Sequence, residues 1–171
     1  KFRGRPAGFY EILNNQDNFN ENDVAIRGPI NIESTNKFFH DTQNLYELKN
    51  IKNLNIFINS PGGSVIEGMK ILEHIFMLRE SNISVTCVSD YSASMAFIIL
   101  QSCTNRYALS SSVLMQHQMA LSTKNNLYNM HNYLKMIDDI DLSMDKLQSE
   151  RIGITIQKFK QLISNDWWLT S

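Results

Sequence analysis

Short runs of β-branched and aliphatic residues alternate along the chain with longer stretches in which apolar groups recur every three or four positions. Asp23-Val-Ala-Ile-Arg27 is the first strand-like run, ended by Gly28-Pro29. Residues 34–48 carry Phe38, Phe39, Leu45, Tyr46 and Leu48, an approximate amphipathic helix. Leu54–Ile58 predicts a second strand. Residues 68–79, with Met69, Leu72, Ile75, Phe76 and Met77 at helical spacing, predict a second helix. Val85–Val88 reads as a third strand and Ala93–Leu100 as a third, buried helix; Arg106–Leu109 and Val113–Met115 are further short strands. Strand and helix in alternation predict an α/β fold: a mostly parallel sheet with covering helices and right-handed crossovers. Residues 1–22, rich in Asn, Asp and Gln, show no period and predict a flexible lead-in, which leaves 23–171 as a single domain.

The stretch from about 125 to 151 breaks the alternation. Leu127, Met130, Leu134, Ile137, Ile140, Met144 and Leu147 follow a 3-4 spacing close to a heptad, and Gly153 supplies a stop. Such a helix is on the order of 40 Å long at 1.5 Å per residue, more than one small domain covers. Another copy of the chain is the favoured partner for its apolar stripe; the alternative is a helix lying across its own sheet.

Composition narrows the function. At 171 residues the chain suits one domain with a real core. A net charge of −1 supplies no basic field for nucleic acid. No stretch approaches the roughly 20 apolar residues of a membrane helix. Cys87 and Cys103 sit in apolar surroundings and form no framework, which argues against a disulfide scaffold or zinc site and favours a reducing compartment. No His, Cys and carboxylate cluster has metal-ligand spacing. The chain begins at Lys1 rather than a methionine, as a processed or cloned form does, so a targeting peptide is not excluded.

Two corners carry the chemistry. In Asn59-Ser-Pro-Gly-Gly-Ser64 a strand turns into a helix, and Gly62 and Gly63 leave backbone N–H groups open to an electronegative atom. In Tyr91-Ser-Ala-Ser-Met-Ala96 the same transition carries Ser94, a candidate nucleophile with the Met95 N–H beside it as an oxyanion donor. Blander readings exist for both. Ser-Ala-Ser can be helix capping, with Ser92 as the cap. Ser-Pro-Gly-Gly can be a plain turn or a phosphate cradle, although the Gly-Lys-Ser/Thr ending of a P-loop is missing. Nor is the serine set in the Gly-x-Ser-x-Gly elbow of α/β-hydrolases.

A serine nucleophile needs a base, and the base an orienting group. His40 and His74 fall within helix-like segments and His131 on the long helix, where surface or packing roles suffice. His117 instead follows the strand-like Val113-Leu-Met115, where a loop begins. Spacing alone does not choose the acid. Asp166, in Asn-Asp-Trp-Trp-Leu-Thr, has large aromatic neighbours able to shield it, whereas Asp138, Asp139 and Asp141 read as a solvated helix face.

Assembled, these residues resemble the ClpP family, the proteolytic subunit of the Clp protease. Phe57-Ile-Asn-Ser-Pro-Gly-Gly-Ser64 with Gly68-Met69 resembles its oxyanion turn and following helix; Ser92-Ala-Ser-Met-Ala96 resembles its Ala-Ala-Ser-Met corner. Leu114-Met-Gln-His-Gln118 resembles its Met-Ile-His-Gln segment, and Ile152-Gly-Ile-Thr with Asn165-Asp-Trp-Trp-Leu-Thr resembles the ending that bears its acid. The resemblance covers roughly 23–171 and implies a ClpP/crotonase-like fold with a long protruding handle helix at about 125–151. It implies Ser94 as nucleophile, His117 as base, Asp166 as acid, and the N–H groups of Gly63 and Met95 as the oxyanion hole, with no metal. It further implies a serine endopeptidase acting on unfolded polypeptides inside two stacked seven-membered rings of ClpP-like subunits. A AAA+ unfoldase ATPase would feed it, so ATP is spent by the partner and this chain needs no cofactor. The compartment implied is bacterial cytoplasm or an organelle of bacterial descent, a plastid or mitochondrial matrix.

There are departures. The family's Gly after Ser-Met is absent, Met119 stands where proline is usual, and the glycine-rich strand at the handle base is here Ala120-Leu-Ser-Thr-Lys-Asn-Asn126. Arg106–Leu109 comes a little early, which predicts a shortened turn before it, and the chain stops at Ser171, ahead of the family's final helix and strand. A divergent subunit working in a mixed ring fits these differences. Two rivals remain: a non-catalytic structural ring subunit, and a crotonase-type acyl-CoA enzyme with a similar oxyanion turn. The presence of all three triad residue types favours hydrolysis over both.

Overall fold

Strand and helix alternate in the order β1 (Asp23–Arg27), α1 (Ile32–Lys49), β2 (Asn53–Ser60), α2 (Val65–Glu80), β3 (Ser84–Ala93), α3 (Met95–Ser102), β4 (Asn105–Gln116), α4 (Leu127–Ile152), α5 (Ile156–Ile163) and β5 (Trp167–Thr170). The structure, a computed structural model, describes residues 22–49, 51–120 and 126–170. Residues 1–21 of the expected lead-in and 121–125 of the expected handle base lie outside the described residues. The chain forms two compact units, Lys1–Met115 with Trp168–Ser171, and Gln116–Trp167.

In the first unit the strands lie in sequence order, and β1, β2, β3 and β4 pair in parallel. The α/β architecture read from the alternation is therefore the observed one. Register explains the core. Val24 pairs with Ile56 and Ile26 with Ile58, while Leu54 and Ile56 pair with Val85 and Cys87. All seven are buried. Side chains alternate along a strand, so this set shares one face; burying each of its aliphatic members is worth about 1.5–3 kcal/mol. Helices α1, α2 and α3 pack in succession, α1 on α2 and α2 on α3. They bring Phe38, Ile71, Ile75 and Ile99, all fully buried. A smaller apolar strip of Phe57, Val88 and Leu109, with Ala25 and Tyr107 against it, sits among the alternate positions.

Local chemistry sets the helix ends. Asn31 and Ser34 cap α1 reciprocally, each backbone N–H donating to the other's side-chain oxygen at 2.9 Å. Ser64 caps α2 by accepting the Glu67 N–H. Arg79, in the last turn of α2, donates from Nη1 to the Ser102 carbonyl at 2.7 Å, tying the end of α2 to the end of α3. Only Cys103 and Thr104 connect α3 to β4, the short turn the sequence predicts. The two short strands expected over 106–115 are one strand, β4, with an irregularity inside it.

One expectation fails. Cys87 and Cys103, read as unpaired, are joined as a disulfide with Cα atoms 5.8 Å apart, both fully buried. They are 16 residues apart in the chain, and the parallel β3–α3 return brings them together. A reducing compartment, expected from unpaired thiols, is not supported by this pair.

In the second unit α4 runs 26 residues, capped at its start by Asn126, which accepts the Asn129 N–H, and at its end by Gly153 with φ +83°. The Gly153 and Ile154 N–H groups both close on the Ser149 carbonyl, which is the glycine stop the sequence predicts. Ile137 and Met144 of its stripe are buried; Leu134 is exposed, as are Met136 and Leu142 beside the stripe. Thr155 then caps α5, whose Phe159 and Ile163 are buried. The sequence reading missed α5, although Ile152, Ile156, Phe159 and Ile163 follow a 4-3-4 spacing. Among the described residues no helix is long and apolar enough to cross a membrane.

Candidate active site

β3 delivers Ser94 to a tight corner before α3. Ser94 has φ +54° and ψ −122°, a conformation L-residues avoid, and at such outliers functional strain collects. The corner is held from several sides. The Ser94 N–H donates to the Met115 carbonyl of β4 at 2.9 Å, and the Ser94 carbonyl accepts from Phe97 at 2.9 Å and Ile98 at 3.3 Å to start α3. Every residue of α3 is buried, so the helix is anchored along its length. The capping alternative does not hold. Ser92 lies within β3, fully buried and bonded to the Ser89 hydroxyl at 2.6 Å, and the Ser94 side chain makes no cap hydrogen bond.

The glycine turn is packed directly on this corner. A Cβ on Gly62 would lie 2.6 Å from the Ala93 carbonyl oxygen, 2.8 Å from Ser94 Cβ and 2.9 Å from the Met95 nitrogen. Gly62 also has φ +88°, so glycine is demanded there twice over. Its N–H donates to Ser60 Oγ at 3.1 Å, which shapes the turn. Gly63 forms a parallel bridge with Ile30, and that bridge uses the Gly62 carbonyl and the Ser64 N–H. The Gly63 N–H takes no part in it. Met95 occupies the first position of α3, where a helix leaves its N–H groups without an internal partner. Its own side chain fills the space left by Gly68 of α2, where an added Cβ would strike it. Two strand-to-helix corners in contact thus present backbone N–H groups beside a serine.

Ser94, Met95 and Gly63 belong to the first unit, and His117 and Asp166 to the second. His117 is half-buried one residue past the end of β4, and two residues along the chain from Met115. Asp166 immediately precedes β5, which is the neighbour of β4 in the sheet order. The aromatic shielding expected for Asp166 is absent: its side chain is exposed, the Trp167 ring turns to Phe159 edge-on at 6.3 Å, and Trp168 is 55% exposed. The remaining histidines are on helices as expected. His40 and His131 are exposed, while His74 is half-buried. Among the described residues no group of three or more His, Cys, Asp or Glu is arranged to hold a metal ion. Two surface hollows lie elsewhere, one around Phe76, Arg79 and Thr104 and one around Asp23, Lys37 and Asp41.

A parallel α/β sheet with a serine at a strained strand-to-helix corner and a glycine turn against it defines the class. The comparison with known proteins agrees. The Clp protease family pattern matches residues 9–171. The ATP-dependent Clp protease proteolytic subunit 2 of Bacillus licheniformis is 32% identical over 122 residues, covering 70% of this chain and 63% of that protein. The chain belongs to the Clp protease family.

Proposed function

We propose that this chain is a proteolytic subunit of an ATP-dependent Clp protease and hydrolyses peptide bonds through Ser94, His117 and Asp166. The observation that carries the reading is the Ser94 corner. Its hydroxyl is not spent on helix capping, its backbone is held at positive φ, and the Gly62–Gly63 turn packs on it beside the Met95 N–H. Neighbouring parallel strands lead into Ser94 and His117, and the relative from Bacillus licheniformis bears the name of a proteolytic subunit.

In this mechanism His117 takes the Ser94 Oγ proton as the oxygen attacks the peptide carbonyl carbon. The resulting oxyanion is held by the N–H groups of Gly63 and Met95, each worth about 10²–10³ in rate. His117 returns the proton to the leaving amine, and the C–N bond breaks. A water then attacks the acyl-enzyme with His117 again as base, which releases the carboxylate product and restores Ser94. Asp166 orients the imidazole and stabilises its charged form. The chain works in two stacked seven-membered rings with other ClpP-like subunits. A AAA+ unfoldase supplies unfolded polypeptide and spends the ATP, so this subunit uses no cofactor. Residues 23–171 act as one catalytic domain, with α4 as the ring-pairing handle.

Fluorophosphonate labelling of wild-type and Ser94→Ala protein, with native mass read in parallel, tests this. Labelling of wild type alone, in a particle of several hundred kilodaltons, is the expected result. An intact ring that never labels would make the chain a structural subunit. Retained coenzyme A would point to acyl-CoA chemistry instead.

A further inference from the structure

β3 is not regular as it approaches the corner. Ile58 of β2 faces Ser89, but Asn59 faces Tyr91, so Asp90 is an extra residue in β3. On the other side Ser89 faces Ala108 while Tyr91 faces Val113, so β4 takes five steps where β3 takes two. Three buried serines meet at this break. The Ser89 and Ser92 hydroxyls bond at 2.6 Å, and Ser112 Oγ donates to the Ser89 carbonyl at 2.5 Å. Ser89 and Ser92 are fully buried and Ser112 is 1% exposed.

The spacing is informative. In a regular strand, residues three apart point to opposite faces. Ser89 and Ser92 touch because the bulge at Asp90 returns both to one face. In a β3 without the bulge they would part, leaving buried hydroxyls unpaired at about 1–3 kcal/mol each. Ser112 completes the lock from β4. Its hydroxyl serves the Ser89 carbonyl at the point where the ladder is interrupted. Downstream of the break the register is Tyr91 with Val113, Ser92 with Leu114 and Ala93 with Met115. That register is what gives the Ser94 N–H the Met115 carbonyl as its partner.

We propose that Ser89, Ser92 and Ser112 are positioning residues: their hydroxyls select the bulged register of β3 against β4 and thereby fix the Ser94 corner. This rests on the reading of Ser94 as the nucleophile. The sharpest variants are Ser112→Thr and Ser112→Val. They have the same shape, so any packing cost of the added methyl groups is shared, and only the threonine can donate to Ser89. Each is made in the wild-type chain and in a Ser94→Cys background, in the assembled protein. Fluorophosphonate labelling and peptide turnover are read in the first series. The alkylation rate of the introduced thiol by iodoacetamide is read in the second; Cys87 and Cys103 are buried and paired. The Val variant is expected to label and to alkylate about ten-fold more slowly than the Thr variant, with kcat lowered and KM within two-fold, since small misplacements of a nucleophile are costly. Equal rates for Val and Thr in both series would overturn the positioning role. If wild-type Ser94 never labels, the hydrolase reading fails by itself. The alkylation series then decides the register lock alone: a ten-fold gap upholds it, and equal rates overturn it.

Discussion

The Ser94 corner and the Asp166 segment are built in opposite ways. Ser94 follows a strand in the middle of a sheet and opens a helix buried at all eight positions, with a glycine pressed on its Cβ. Its position is determined by non-local contacts that one chain makes with itself. Asp166 follows exposed Ser164 and Asn165, is itself exposed, and precedes the half-exposed Trp168. A serine that must keep a strained backbone needs surroundings that over-determine it. The carboxylate that the proposed mechanism uses to orient an imidazole can be supplied by a less constrained segment. On the proposed mechanism, damage at the first place strikes fold and chemistry together, whereas damage at the second strikes chemistry alone.

The largest expected effect sharpens that contrast. Gly62→Ala drives a methyl into the Ala93 carbonyl and Ser94 at a positive φ. It should lower labelling of Ser94 by at least about 100-fold and stability by about 2–4 kcal/mol; denaturant melts and labelling time courses check both. Asp166→Asn comes next. Turnover should fall by about 10²–10⁴, while stability stays within about 0.5 kcal/mol because the site is exposed. A large loss of stability in this variant would break the comparison.

The second unit has its own fixed point. The Asp145 side chain is 4% exposed and reaches Lys160 of α5 at 3.5 Å. Burial, then the neighbouring Asp141 charge, raises the Asp145 carboxyl above its usual range, and Lys160 draws it back. Lys160→Met removes that cation and should cost about 1–2 kcal/mol, less than the 3–5 of a fully buried pair because the lysine is half exposed. The loss should shrink as pH falls: a carboxyl with a raised folded pKa takes up its proton in the native state first, which relieves the buried charge. Chemical melts at neutral and mildly acid pH would read it.

The smallest effect lies between α1 and α2. His74 Nε2 stands 2.9 Å from Thr42 Oγ1, whose single proton is directed to the Phe38 and Phe39 carbonyls. The hydroxyl is then the acceptor, and the imidazole donates from Nε2. Burial lowers the His74 pKa. Between that folded value and the unfolded value near 6.5, the unfolded chain binds the extra proton, so stability falls as pH drops below about 6.5. A His74→Gln variant should flatten this part of the Tm profile. An unchanged slope would mean that another group titrates.

The sequence by itself determined the order of elements from β1 to α3 and the long α4, since the period of the apolar residues is a local property; it left out α5 and β5 and divided β4 in two. Asp23–Arg27 is the observed first strand, and Gly153 ends α4 where the pattern requires. It also singled out the two corners, because glycine pairs and a serine between strand-like and helix-like runs are visible in a few residues. The tertiary structure alone decided what touches what. That Gly62 packs on Ser94, that Cys87 meets Cys103, and that Ser112 reaches Ser89 all depend on strand register. From Tyr91 onward, towards the Ser94 corner, a one-residue bulge at Asp90 sets the register against β2. Local propensity does not encode such a bulge; its energy comes from pairing across about thirty residues of chain, where a single slip exchanges every inward side chain for its outward neighbour.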